Sequence, residues 1–191
     1  MKRLLLLTAC SVLQAAAAGP VAAAPPADTA ASSQAGRISE DAQTALARLY
    51  ADNTKARELG GRARAVLIFP RIVKAGLMVG GQSGDGALIE NGRTVQFYNI
   101  SAASFGFQAG AQTFSYALFF ITDTALDYLK KSKGWSVGSG PSVVIVDKGF
   151  AKSLTTTTLT QDVYAIPFGQ HGLMAGAGLE GSKISQIYPA P

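Results

Sequence analysis

The stretch that most constrains this chain is Gly76-Leu77-Met78-Val79-Gly80-Gly81-Gln82-Ser83-Gly84-Asp85-Gly86-Ala87-Leu88, where glycine keeps returning among aliphatic residues. A β-strand sends alternate residues to opposite faces. Gly76, Gly80, Gly84 and Gly86 therefore share one face, while Leu77 and Val79 take the other. The register returns in Phe105 to Gln112, where Gly106 and Gly110 share a parity, and in Gly172 to Gly181, where Gly172, Gly176 and Gly178 do. The opposite parity carries Phe105, Phe107, Ala109 and Ala111, then Leu173, Ala175, Ala177 and Leu179, which reads as a core-facing row. A glycine inside a strand costs about 1 kcal/mol in backbone freedom and lost packing. Its repetition predicts that another surface comes close to the bare ridge: a helix, another strand's backbone or a flat ligand surface.

Around these strands the local signals are mixed. Ile38, Ala42, Ala45, Leu46, Leu49, Ala56 and Leu59 fall at helical spacing over Arg37 to Leu59, with Ser39 as N-cap and a bend near Asp52-Asn53-Thr54. Asn91-Gly92 between two strand-like runs predicts a hairpin. Phe105 to Ile121 holds glycines and glutamines that make it a poor membrane span, and it reads as one or two strands. Thr122 or Asp123 caps a short helix, Thr124 to Lys133, stopped by Gly134. Ser142 to Val146 and Leu154 to Phe168 are strand material, and Gly169-Gln170 fits a tight turn into a last strand, Gly172 to Leu179. Strands come consecutively rather than alternating with helices. The expectation is an α+β fold: a mainly antiparallel, barrel-like or strongly curved glycine-rich sheet with an N-terminal amphipathic helix and one short internal helix.

Met1-Lys2-Arg3, Leu4 to Leu7 and the run to Ala18 have the charged start, apolar middle and small-residue exit of a bacterial secretory signal. Residues 1–24 are expected to be that signal, 25–36 a flexible leader and 37–191 a single domain. The protein is thus expected in the periplasm. An alternative is a membrane-anchored lipoprotein, since Leu7-Thr8-Ala9-Cys10 resembles a lipobox with Cys10 as the lipidated residue. Cys10 is the one cysteine of the chain, so under the favoured cut no disulfide or thiolate chemistry remains. The net charge of +5 also falls, because removing Lys2 and Arg3 leaves 15 basic residues against 12 acidic ones. That bias is too mild for a nucleic-acid partner.

The basic residues are unevenly placed. Arg62, Arg64, Arg71 and Lys74 surround the apolar run Ala65 to Phe69, and Lys130, Lys131 and Lys133 crowd the end of the internal helix near Tyr128 and Trp135. The plain account is a solvated face and favourable charge at a helix C-terminus. The sharper one makes both clusters edges that hold an anionic phosphate headgroup.

Motifs for catalysis are weak. Gly134-Trp135-Ser136-Val137-Gly138 matches a nucleophile elbow, with Asp147 or Asp162 and then His171 in α/β-hydrolase order. An elbow needs a strand before its serine and a helix after it, the reverse of what this sequence predicts. Gly176-Ala177-Gly178-Leu179-Glu180-Gly181 spells a dinucleotide fingerprint, but only ten residues follow it. His171 is the sole histidine and the acidic residues are scattered, so no metal site and no cofactor is expected.

Four ordered blocks resemble the SYLF-domain family: Ala63 to Pro70 with Lys74-Ala75-Gly76, then Gly84 to Leu88, Gly106 to Ala111, and Gly172 to Ser182. The resemblance covers about Ala42 to Tyr188. It implies a non-enzymatic domain that binds membrane phospholipid, with phosphoinositides the class for eukaryotic members and actin binding for yeast ones. An exported bacterial chain is expected to meet a general anionic phospholipid instead. Of the basic residues named, Lys74 lies within a matching block. The competing expectation is an envelope interaction or structural module whose glycine surface docks a protein partner or a second copy of itself.

Overall fold

The computed structural model describes residues 27–132, 135–146, 160–172 and 181–189, with side chains described except at 27–33, 77–79 and 104–109. The expected signal segment with Cys10, Lys133, Asp147 and most of the third glycine block lie outside the described residues. The elements run α1 (Ala27–Asp52), α2 (Thr54–Gly60), β1 (Ala65–Glu90), β2 (Arg93–Phe120), α3 (Asp123–Lys131), β3 (Trp135–Ser136), β4 (Val143–Ile145), β5 (Val163–Gly172) and β6 (Lys183–Ile187).

The bend expected near Asn53 is where α1 gives way to α2. Asn53 is extended at φ −136° and ψ 102°, and its side chain accepts from the Ala56 amide at 3.0 Å, so it caps the second helix while ending the first. The helix begins at Ala27, earlier than the Arg37 start expected. Ser39 is consequently interior to α1, and its hydroxyl bonds Thr94 Oγ1 at 2.6 Å, tying the helix to β2 instead of capping it.

Asn91 and Gly92, at φ 50° and 76°, form the two-residue turn between β1 and β2. Positive φ at both central positions matches the twist of the flanking strands. Of the expected Phe105 to Ile121 strand material, all but Ile121 belongs to one long strand of that hairpin, β2. β2 is the spine of a six-stranded sheet among the described residues, in the order β3-β6-β2-β5-β4, with β1 also on β2. Its pairings are antiparallel except β4 with β5. The sheet is strongly curved into a half-barrel.

Ser115 marks where it bends. On one side Pro70 and Arg71 of β1 face it as two residues against one, between the pairs Phe69–Tyr116 and Ile72–Phe114. On the other, Gly169 and Gln170 of β5 are the extra residues between His171–Thr113 and Phe168–Ser115. Bulges at one level on both neighbours bend a sheet and increase its twist. Ser115 Oγ donates to the Pro70 carbonyl at 2.8 Å, satisfying a group that the bulge removes from the ladder. Gly169-Gln170 is therefore a bulge, with Gly169 at φ 60°, and not the tight turn expected. His171 accordingly sits within β5 opposite Thr113.

The curl brings the two halves of β1 over one another. A β-carbon on Gly84 would strike the Arg71 carbonyl and lie 2.9 Å from Ile72 Cγ1; one on Gly86 would strike the Ile68 carbonyl and lie 2.5 Å from Phe69 Cδ1. At these two positions, the surface that comes within backbone range is the first half of the same strand.

Side chains on the inner face of the curl, including Phe69, Ile72, Leu88, Tyr98, Phe114, Tyr116 and Trp135, form one core, closed by Ala125, Leu126 and Leu129 of α3. Alternate residues such as Val66, Ile68, Ala117, Phe119 and Tyr164 form a second core under α1 and α2. α3 starts where expected: Thr122 Oγ1 accepts from the Ala125 amide at 3.2 Å. Its C-cap is Ser132 rather than Gly134.

Candidate functional site

The structure divides the predicted basic residues by what they touch. Arg62 is exposed in the turn after α2. Arg64 Nε lies 3.2 Å from Asp123 Oδ1, on the surface at the start of α3. Lys131 pairs with Asp127 one turn back at 2.9 Å, and Lys130 Nζ reaches Glu90 Oε1 at 2.6 Å, linking α3 to the end of β1. These last three each carry a carboxylate partner that offsets their charge.

Trp135 is 1% exposed, packed with its ring 6.0 Å from that of Phe120, and its Nε1 donates to the Ser139 carbonyl at 3.1 Å. It is a core side chain. Tyr128, the other aromatic of the expected headgroup edge, is 41% exposed. The paired edge drawn from sequence is thus split between surface and core.

Arg71 and Lys74 stand apart from the others. Arg71 belongs to the β1 bulge and Lys74 follows it three residues on, with Val73 between them in sequence; Arg71 is exposed, Lys74 half-buried and Val73 46% exposed. Among the described residues neither has an acidic partner. The bulge explains the arrangement, since its extra residue lifts Arg71 out of the ladder while Ile72 returns to the inner core. Arg71 beside exposed Val73 is an outer surface that can take a phosphate and lie against acyl chains, while Lys74, in step with Ile72, faces inward from the same strand.

A surface depression of about 630 Å³ lies between α3 and the Gly140-Pro141 loop, lined by Asp123, Asp127, Tyr128, Lys131 and Asp162. Three carboxylates against one paired lysine make it unsuited to an anion. Asp162 has a structural task there: it accepts from the Ser142 amide at 3.1 Å, the Ser142 hydroxyl at 2.9 Å and Thr122 Oγ1 at 3.1 Å. Those bonds, Ser142 first, hold its carboxyl below the usual carboxylate range. Ser136, the elbow serine of the sequence, lies in the two-residue β3 and is followed by turns at Gly138 and Gly140 and then β4. The strand-to-helix setting that an elbow requires is not the one around Ser136.

The fold is thus a curved α+β half-barrel carrying an uncompensated basic bulge beside an exposed aliphatic. A family model described as "Ysc84: Las17-binding protein actin regulator" matches residues 101–188, from within β2 through α3 and β6. The match is consistent with a SYLF-domain family, the one that the glycine blocks resemble. Among curated proteins none matches the chain.

Proposed function

We propose that this domain binds anionic phospholipid without catalysing a reaction, with Arg71 on the outer face of β1, beside Val73, and Lys74 on the inner face supplying the charge that holds the phosphate. The family match by itself suggests the coarser reading, a lipid-binding or actin-related module. The observation that carries the finer one is two cations on one short stretch of β1, Arg71 with an exposed aliphatic beside it, without a carboxylate among the described residues. Each Lys or Arg held near an anionic membrane contributes about 1 kcal/mol, so two give about a thirtyfold preference over a neutral bilayer. The signal-like start of the sequence supports an encounter at the bacterial envelope, in the periplasm or as a lipoprotein.

The glycine ridge is given a smaller part than its sequence suggests. At Gly84 and Gly86 the approach space is taken by β1 itself, so the ligand surface is assigned to the bulge. A second reading, a protein-binding module, is supported by the description of the matching family, which names a Las17-binding actin regulator.

Co-sedimentation with phosphatidylcholine vesicles, with and without an anionic lipid, tests the proposal. Binding that requires the anionic lipid and weakens with salt is expected. Equal sedimentation with both vesicle types, or none at low salt, contradicts it.

A further inference from the structure

Lys74 and Gln112 are direct partners in the β1–β2 ladder, one step along the same face from Ile72 and Phe114. Ile72 and Phe114 belong to the inner core, so Lys74 and Gln112 occupy the inner face too. Directly opposed residues on one face have β-carbons about 5 Å apart. Gln112 is 4% exposed, and its Oε1 accepts no hydrogen bond. Lys74, half-buried beside it, has no carboxylate among the described residues.

The two halves of β1 cross close to this level. Gly86 lies against Ile68 and Phe69, and Gly84 against Arg71 and Ile72. Gln82 precedes Gly84 by two residues and shares its face of β1. Gln82 is 7% exposed and donates to Ser182 Oγ at 3.0 Å. Its amide nitrogen is thus partnered, unlike Gln112 Oε1.

Lys74 and Gln112 ask for different things. A buried acceptor without a donor is costly and so is a half-buried cation without an anion. Were Lys74 to reach Gln112, the amide oxygen would be satisfied and the charge would still lack a counterion. A ligand that supplies an anion and a neutral donor satisfies both. An ammonium donor would be repelled by Lys74 at this range, so among phospholipid headgroup donors a hydroxyl is the one that fits.

We infer that the Lys74–Gln112 pair at the inner face of the half-barrel recognises a phosphodiester whose headgroup carries a hydroxyl. The phosphate oxygens accept from Lys74 Nζ and the hydroxyl donates to Gln112 Oε1. Phosphatidylglycerol has this chemistry, as does its soluble headgroup. The inference rests on the anionic-phospholipid reading and sharpens it from charge to headgroup.

The test compares the full chain on phosphatidylcholine vesicles containing either phosphatidylglycerol or phosphatidylmethanol. These lipids have the same phosphodiester charge and differ in the hydroxyls. Binding about tenfold tighter to phosphatidylglycerol is expected, the effect of leaving one buried acceptor unpaired. Gln112→Leu should reduce that ratio to about one while retaining binding to both. Equal wild-type binding to the two lipids overturns the inference and leaves the anionic reading intact; binding to neither overturns both. The wild-type comparison stands whether or not the variant folds. Calorimetry with soluble glycerophosphoglycerol then separates the sources. Heat that Gln112→Leu abolishes means that the free headgroup suffices. Absence of heat, with the vesicle preference intact, places recognition at the bilayer.

Discussion

Gly86 lies so close beneath Ile68 that a β-carbon on the glycine would fall on the isoleucine's carbonyl oxygen. Backbone cannot yield as a side-chain tip can, so one methyl group forces the two halves of β1 apart. Gly86→Ala should cost about 3 kcal/mol or more, at or beyond the upper end of overpacking penalties. Gly81 is the matched control, because its added β-carbon would meet the Ala102 carbonyl at an ordinary 3.6 Å. Gly81→Ala should change stability by less than about 1 kcal/mol. Urea unfolding of both variants measures the difference.

Trp135 should behave as a core residue. Its burial against Phe120 predicts that Trp135→Ala costs about 3–5 kcal/mol. As the sole tryptophan of the chain it also reports its own environment, and its fluorescence should be blue-shifted in the native protein and unaltered by vesicles. A strong emission change on lipid addition would instead place it at the membrane.

Asp162 should contribute to acid sensitivity. Its folded carboxyl lies below the ordinary value of 3.8, chiefly through the bonds from Ser142. The stability it supplies is therefore present above that ordinary value and lost as pH falls through the lower folded one. Asp162→Asn should make the acid limb of a stability–pH curve shallower and should lower stability at neutral pH.

At the alkaline end the sign reverses. Burial, with smaller contributions from the charges of Glu90 and Tyr188, pushes the Tyr98 hydroxyl up from 10.0 to about 12, and burial also raises Tyr50 and Tyr116. The stability linked to Tyr98 is intact below pH 10 and declines as pH rises through about 12. Tyr98→Phe should make that decline shallower, as measured by unfolding at stepped alkaline pH. It also leaves Gln96 Oε1 without the hydroxyl that now donates to it at 2.8 Å.

Local chemistry made parts of this fold legible in the sequence. Asn91-Gly92 specifies its turn through two positive φ angles, and Asn53 and Thr122 announce helix starts through side-chain acceptors. The parity of Gly84 and Gly86 indicated a close approach, but the approaching surface is 12 to 18 residues away on the same strand and becomes visible when the sheet curls. Gly169 reads as a turn in the sequence because a bulge and a turn ask for the same positive φ; what distinguishes them here is pairing on both sides of it. The charge clusters were misleading for a related reason. Glu90 is distant in sequence from Lys130, and Asp123 from Arg64, so adjacency along the chain could not separate neutralised cations from Arg71 and Lys74. Gln112 carried no sequence signal, since its importance comes from burial and an empty acceptor.

The most direct measurement of the central claim is vesicle affinity for two charge-matched double variants, Arg71→Gln/Lys74→Gln and Arg64→Gln/Lys131→Gln. Each removes two positive charges, so a nonspecific electrostatic effect would weaken both alike. Loss of about thirtyfold in affinity for anionic vesicles is expected for the first pair, with little change for the second, whose charges are already neutralised by Asp123 and Asp127. Equal losses in the two, or a larger loss in the second, would contradict the assignment of lipid binding to the bulge.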